Sequence, residues 1–303
     1  MSLFLIETYK NLISCNTTSQ KEINDMISQE GFCERFINPN RYVTVKSSHI
    51  GPGKGMRDNG HTCVFPDCEA MSEVLSLLEK NIVKNSFLDA NEPADLKFYK
   101  LCTAVTVSLN EYFGEPYGIS EERRYAHYSD NLVSGNLEAS LSCFKGNDSA
   151  MCVERSLAAH ICFQVLKNNV NIQRRNFFNY SSAFHKTNVI EHMERNEEPG
   201  VGGHAVCILF PKDEKNKVIL FDPSLDGVVK SREKKTNIAG IYELNESQKK
   251  SILNSKPIVP ELFICKRVKD IKQVYYRGYC RNDGELIRAK RKFIDKINEG
   301  GDR

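Results

Sequence analysis

Apolar residues recur at helical spacing through much of the first 200 positions of the chain. Residues 115–147 are an exception, because they are polar and weakly periodic, and there we predict a loop with a short helix over 137–143. A short strand is predicted over 42–45. Caps and apolar spacing together predict helices in four places: after the capping box that begins at Ser19, over 69–84, over 94–113 before Gly114, and from Asp148 to about Lys167.

After residue 200 the pattern changes to that of β-strands. Short β-rich runs cover 204–210, 217–222, 241–244, 262–268 and 274–279, and a last amphipathic helix is predicted over 285–297. The segment between the first two runs is too short for a crossover helix, so we expect an antiparallel sheet. Helices followed by an antiparallel sheet predict an α+β fold, with a helical N-terminal part over 1–120 and a core over 121–303 in one compact unit.

Charge and composition narrow the classes of function. The 42 basic and 39 acidic residues leave a net charge of +3, which is too balanced to predict nucleic-acid binding. No apolar run is long enough to predict a membrane span, and the first 15 residues lack the basic leader of a secretory signal. The 11 cysteines are therefore expected to be reduced and mostly packed in the interior.

Cys152 differs from the other cysteines in its position. It lies in the first turn of the helix predicted from Asp148, after a polar cap at Asp148 or Ser149. The N–H groups at the start of a helix carry a partial positive charge, which stabilises a thiolate and a neighbouring oxyanion. We therefore consider Cys152 as a nucleophile, against the alternative of one more packed thiol.

A nucleophilic thiol requires a histidine, and the predicted hairpin supplies one. His204 begins the first strand after three glycines, and Asp222 ends the second strand. Pairing across the turn places Asp222 opposite His204 within one residue, and if the register sets both side chains on one face, the carboxylate can orient the imidazole. His160 lies two turns along the helix from Cys152, too far for a hydrogen bond, while His185 and His192 fall in a polar stretch where no strand is predicted.

This order of Cys152, His204 and Asp222 resembles the papain-like and transglutaminase-like cysteine hydrolases. The similarity covers roughly residues 147–224, and Gly-His-Ala-Val and Phe-Asp-Pro-Ser are similar to segments of bacterial effector proteases and glutamine deamidases. An Asp as third residue favours the transglutaminase-like and effector-type members. The resemblance implies a papain-like core over 121–303 and an oxyanion hole formed by the Cys152 N–H and the side chain of Asn147.

The expected function is that of a cysteine-dependent amide hydrolase, either a protease or a glutamine deamidase. It is expected to act on a protein or peptide without a metal or organic cofactor. The resemblance to effectors implies a cytoplasmic protein or one delivered into a host cell, with a host protein as a possible target and a role in virulence. A transglutaminase, a small-molecule acyltransferase and an inactive binding module of the same fold remain as alternatives. His61, Cys63 and Cys68 lack a fourth metal ligand, and the glycine-rich segment 50–60 is interpreted as a flexible loop.

Overall fold

A computed structural model describes thirteen stretches of the chain, and the structural statements below refer to them. They are residues 2–30, 32–46, 61–84, 94–114, 124, 127–128, 132–133, 136–192, 200–213, 217–230, 235–258, 260–262 and 276–280. The α-helices are α1 Leu5–Cys15, α2 Gln20–Glu30, α3 Cys68–Lys84, α4 Ala94–Phe113, α5 Cys152–Asn168, α6 Val170–Gln173 and α7 Glu246–Leu253.

Eleven strands are described. They are β1 Phe32–Cys33, β2 Val43–Lys46, β3 His61–Phe65, β4 Leu132–Val133, β5 Asn136–Ser140, β6 Tyr180–His192, β7 Gly200–Pro211, β8 Val218–Lys230, β9 Lys235–Leu244, β10 Glu261–Leu262 and β11 Tyr276–Cys280. Seven of them form an antiparallel sheet in the order β1-β6-β7-β8-β9-β10, with β11 also paired to β6. A smaller sheet has the order β2-β3-β5-β4, and its β3–β5 pair is parallel. The predicted α+β class is thus confirmed.

The α5 helix lies against the centre of the larger sheet, in contact with β6, β7 and β8. Every side chain from Val153 to Leu166 is buried, as expected for a helix covered on all sides. Along β7 the side chains alternate between two apolar clusters. Ala205, Cys207 and Leu209 belong to the cluster that contains α5, while Val206 and Ile208 belong to a second cluster on the opposite face.

Most of the predicted helices agree with the structure. The capping box is present, since Ser19 N–H donates to Glu22 Oε2 at 2.8 Å and Glu22 N–H donates to Ser19 Oγ at 3.2 Å. The short helix predicted over 137–143 is wrong, because β5 occupies 136–140 and a 3₁₀ turn follows over Leu141–Phe144. The glycine-rich segment 50–60, the cap predicted ahead of the 94–113 helix, the strand residues 263–268 and the 285–297 helix lie outside the described residues.

Two strands that position the site differ from the prediction. No strand is expected in the polar stretch with His185 and His192, but β6 occupies it and pairs along most of its length with β7. The β8 strand continues past Asp222 to Lys230, with a shift of register between Asp222 and Asp226. No helix among the described residues is both long enough and apolar enough to cross a membrane.

Candidate active site

The α5 helix begins at Cys152 itself. Its N-cap is Met151, whose side chain accepts no capping hydrogen bond, and the Glu154 carboxylate instead accepts the Met151 N–H at 2.9 Å. The predicted cap at Asp148 or Ser149 is therefore wrong, although the prediction that Cys152 lies in the first turn is confirmed. Asp148 has a positive φ of 50°, a left-handed conformation that cannot enter a right-handed helix.

A buried arginine fixes the segment that leads into Cys152. The Arg155 guanidinium donates to the Ala150 carbonyl at 2.9 Å and to Asn110 Oδ1 at 2.7 Å, and it also bonds the Gly114 carbonyl at the end of α4. A cation at the C-terminal end of a helix interacts favourably with its dipole. Arg155 thus fastens the loop before Cys152 to the end of α4.

Two hydrogen bonds fix the first turns of α5 on β7. Ser156 Oγ donates to the Ala205 carbonyl at 2.8 Å, and the Cys207 thiol donates to the Ser156 carbonyl at 3.2 Å. Ala205 follows His204 directly in the chain, so these bonds place the start of the helix beside the histidine. The contact between the sequence-distant Cys152 and His204 follows from this docking.

His204 and Asp222 form a hydrogen-bonded pair. His204 Nε2 lies 2.7 Å from Asp222 Oδ2, with the histidine side chain 7% exposed and the aspartate fully buried. Cys207 pairs with Phe221, and this register continued would set Val206 opposite Asp222. Asp222 is therefore the diagonal rather than the direct neighbour of His204, but a displacement of two residues keeps both side chains on one face of the sheet.

The histidine also contacts the nucleophile candidate. Burial acts to lower the pKa of His204, but the negative charges of Asp222 and of the Cys152 sulfur, with hydrogen bonds to both side chains, raise it to about 10. Because Nε2 is bonded to Asp222, the ring nitrogen that remains for Cys152 is Nδ1. Cys152 is only partly buried, so the sulfur lies at the accessible end of this row of three side chains.

The Asp222 carboxylate has further donors around it. Ser224 donates to Oδ1 twice, from its N–H at 3.1 Å and from its hydroxyl at 2.7 Å. The buried Tyr279 on β11 donates its hydroxyl to Oδ2 at 3.4 Å. These contacts satisfy a carboxylate that is removed from water, as a buried charge requires.

A second buried ion pair lies at the start of α5. Arg124 Nη2 is 2.7 Å from Glu154 Oε1, and Tyr128 also bonds this oxygen at 2.5 Å. Burial acts to raise the pKa of Glu154, but the Arg124 charge together with the hydrogen bonds from Arg124 and Tyr128 lowers it. Glu154 therefore carries a compensated charge while it caps the helix, and it is not directed at a substrate.

Asn147, the predicted oxyanion donor, contacts its own loop. Its amide nitrogen is 3.0 Å from the Cys143 carbonyl and 2.9 Å from His127 Nε2, and its oxygen accepts from the Ser149 hydroxyl. Both amide hydrogens therefore have partners in this arrangement. A role for Asn147 in the oxyanion hole stays a prediction.

His160 is structural, as expected from its distance along the helix. It is fully buried, with Nδ1 2.5 Å from Ser182 Oγ and Nε2 3.1 Å from the Arg35 carbonyl. Burial lowers its pKa to about 4, so the ring is neutral and links α5 to β6 and to the segment after β1.

The eight other cysteines whose side chains are described are free thiols and divide into two groups. Cys33, Cys63, Cys102, Cys162 and Cys207 are buried, which confirms the expectation of packed thiols for these five, and burial raises the pKa of four of them. The expectation is wrong for the exposed Cys15, Cys68 and Cys143.

No group of three or more metal-ligating side chains is found within the part of the chain that the structure describes. Searches of protein-family models, of curated proteins and of solved structures found no match to this chain. Inferences about function therefore rest on the geometry of the site.

Sequence reasoning missed the residues that surround the three predicted ones. Ser224 follows Asp222 by two positions, and an Asp side chain commonly accepts from the backbone two residues later, so this contact was readable from the sequence. Tyr279 is 57 positions from Asp222, and Arg124 is 30 from Glu154. Local sequence patterns do not predict contacts between residues so far apart in the chain.

Proposed function

We propose that the protein is a cysteine-dependent amide hydrolase that acts on a protein or peptide through Cys152, His204 and Asp222. The observation that carries this proposal is the position of His204, which bonds Asp222 at 2.7 Å and the Cys152 side chain at the start of α5. A nucleophile, a base and an orienting carboxylate in a row are the arrangement that acyl transfer requires. The papain-like or transglutaminase-like character of the core is part of the same proposal.

In the first step the Cys152 sulfur attacks the amide carbonyl, and the thiol proton resides on His204. The positive imidazolium and the start of α5 stabilise the thiolate before the attack. In this proposal the Cys152 N–H, at the first position of α5, stabilises the tetrahedral oxyanion.

In the second step His204 gives its proton to the leaving nitrogen, and the C–N bond breaks to leave a thioester on Cys152. Water then attacks the thioester and His204 accepts a proton from it. The C–S bond breaks, which releases the acid and restores the Cys152 thiolate beside the protonated His204. Asp222 remains charged throughout and keeps the ring oriented.

The test is the rate at which each thiol reacts with iodoacetamide. We expect Cys152 to be alkylated roughly tenfold or more faster than the exposed Cys15, Cys68 and Cys143 near neutral pH, because His204 bonds the Cys152 side chain at a helix N-terminus. Cys68 also begins a helix, so its rate controls for the effect of the helix N-terminus. Peptide mapping by mass spectrometry after short exposures gives the rate of every cysteine in one experiment. Equal rates for all four would refute the proposal.

Two variants separate reactivity from stability. His204→Ala is expected to reduce the Cys152 rate to that of the exposed thiols, whereas Cys143→Ser, the matched control at an exposed thiol, leaves it unchanged. Cys152→Ala should barely alter the melting temperature, because the side chain is small and only partly buried. A large loss of stability in Cys152→Ala would instead identify Cys152 as a packed core residue.

The kind of amide is tested on an unfolded protein substrate. New N-termini that require Cys152 indicate proteolysis, and ammonia release without new N-termini indicates glutamine deamidation. Either product supports amide hydrolysis, and the absence of both across a broad substrate set would contradict it.

A further inference from the structure

The Asp222 carboxylate is the most distant member of the row from solvent, and its position determines that of His204. It has no covalent restraint on its rotation, and it lies where the register between β8 and β9 shifts after Asp222. Irregular strands of this kind re-aim side chains next to active sites. Something other than the regular ladder must therefore fix the carboxylate.

Ser224 holds one carboxylate oxygen. Its N–H and its hydroxyl reach Oδ1 at 3.1 and 2.7 Å, which closes a short turn through Pro223. Since both donors come from a residue two positions away, the turn and the carboxylate orientation depend on each other.

Tyr279 contacts the other oxygen, the one that also bonds His204. Its hydroxyl lies 3.4 Å from Oδ2. Its backbone is fixed by a reciprocal pair of hydrogen bonds with Ile258, both 2.9 Å, and its ring packs edge to face on Tyr242 with centroids 5.6 Å apart. A fully buried and doubly anchored tyrosine presents its hydroxyl in one direction.

We propose that Ser224 and Tyr279 are positioning residues, which hold the Asp222 carboxylate from its two oxygens so that His204 is oriented toward Cys152. Neither residue touches the reacting atoms, and their effect passes through Asp222. The inference rests on the proposed function for its catalytic meaning, but the arrangement of Ser224, Tyr279, Asp222 and His204 can be tested without it.

The variants are Ser224→Ala and Tyr279→Phe, which each remove one hydroxyl and keep the packing. Loss of a hydrogen bond of ordinary strength changes an equilibrium about fivefold, so we expect Ser224→Ala to slow Cys152 alkylation about fivefold. The longer Tyr279 contact predicts a smaller reduction, about twofold. Ser224→Thr restores the hydroxyl and should restore the rate.

A matched control variant distinguishes a positioning role of Tyr279 from a role in stability alone. Tyr9→Phe also removes a buried tyrosine hydroxyl, one that donates over the same 3.4 Å to the Pro66 carbonyl and bonds the Cys68 side chain. The Cys152 rate in this variant is therefore compared with the rates of Cys15 and Cys143. Tyr9→Phe should change the melting temperature about as much as Tyr279→Phe and leave the Cys152 rate unchanged. Equal effects of both tyrosine variants on the rate would overturn the proposal.

The second readout is the imidazole proton shared by His204 and Asp222, observed by NMR with histidine-selective ¹⁵N labelling and assigned with His204→Gln. We expect its exchange with water to be faster in Ser224→Ala and Tyr279→Phe and normal in Ser224→Thr. If Cys152 proves unreactive in the unmodified protein, the proposed function fails, yet this signal still tests the positioning. Unchanged proton exchange in both hydroxyl-deletion variants would refute it.

Discussion

Replacement of Asp222 by asparagine should change how the stability of the protein depends on pH. The substitution keeps the size of the side chain and removes the charge that faces His204 across 2.7 Å. In the unmodified protein the pKa of His204 is raised from 6.5 to about 10. The folded state therefore binds the histidine proton more tightly than the unfolded chain does between these two values.

The sign and size of the effect follow from proton linkage. The stabilisation is fully present below pH 6.5 and is lost as the pH rises toward 10, because the unfolded histidine has already released its proton there. At about 1.36 kcal/mol per pKa unit, the shift corresponds to on the order of 5 kcal/mol. The slope attributable to His204 is thus a loss of up to about 1.4 kcal/mol per pH unit.

In Asp222→Asn the larger of the two charges that raise the pKa of His204 is absent, so burial is opposed by Cys152 alone and the pKa falls. The free energy of unfolding of the unmodified protein minus that of the variant should therefore be largest near pH 6 and fall toward pH 10. Urea denaturation under reducing conditions measures it without the ionic screening that guanidinium adds. The subtraction cancels every other group that titrates alike in both proteins.

Cys152→Ala is the control for the second charge near the ring. The Asp222 charge raises the pKa of His204 more than the Cys152 charge does. The Cys152→Ala variant should therefore keep most of the decrease in stability with rising pH. A stability difference between the unmodified protein and Asp222→Asn that stays constant from pH 6 to 9.5 would refute the ion pair as described.

The three central residues could be predicted because each has a local signal. Cys152 follows a polar segment and precedes a long helical pattern, and His204 and Asp222 bound a hairpin whose turn is readable from its polar residues. The pairing was off by about one residue, since a turn centre does not fix the loop type that sets the register. His204 and Asp222 nevertheless bond each other, because a displacement of two residues in the continued register keeps their side chains on one face of the sheet.

The β6 strand could not be predicted, because its sequence is polar where a central strand is usually apolar. Its buried Ser182 and His185 interrupt any alternating pattern. Side chains of α5 supply hydrogen bonds to the buried polar groups of β6. The Gln164 amide donates to the Ser182 carbonyl at 2.8 Å, and His160 bonds the Ser182 hydroxyl. A strand stabilised by tertiary hydrogen bonds leaves no periodic signal in its own sequence.

Two further predictions concern the segment before Cys152 and the interior of α5. Gly114→Ala should be destabilising by about 1–3 kcal/mol and Gly146→Ala by less. Both glycines have positive φ, but a Cβ at Gly114 would overlap the Asp148 side chain, whereas one at Gly146 meets nothing within 4 Å. Thermal unfolding of both variants checks this, and equal losses would contradict the clash. Burial lowers the pKa of His160 from 6.5 to about 4 in the folded protein. The unmodified protein should therefore lose up to about 3 kcal/mol of stability as the pH falls from 6.5 to 4, because only the unfolded chain takes up the proton readily. The His160→Gln variant should lack this loss. Urea denaturation between pH 6.5 and 4 measures how the free energy of unfolding changes with pH. Glutamine cannot take up the proton, so an equally steep loss of stability in His160→Gln would show that other groups cause it.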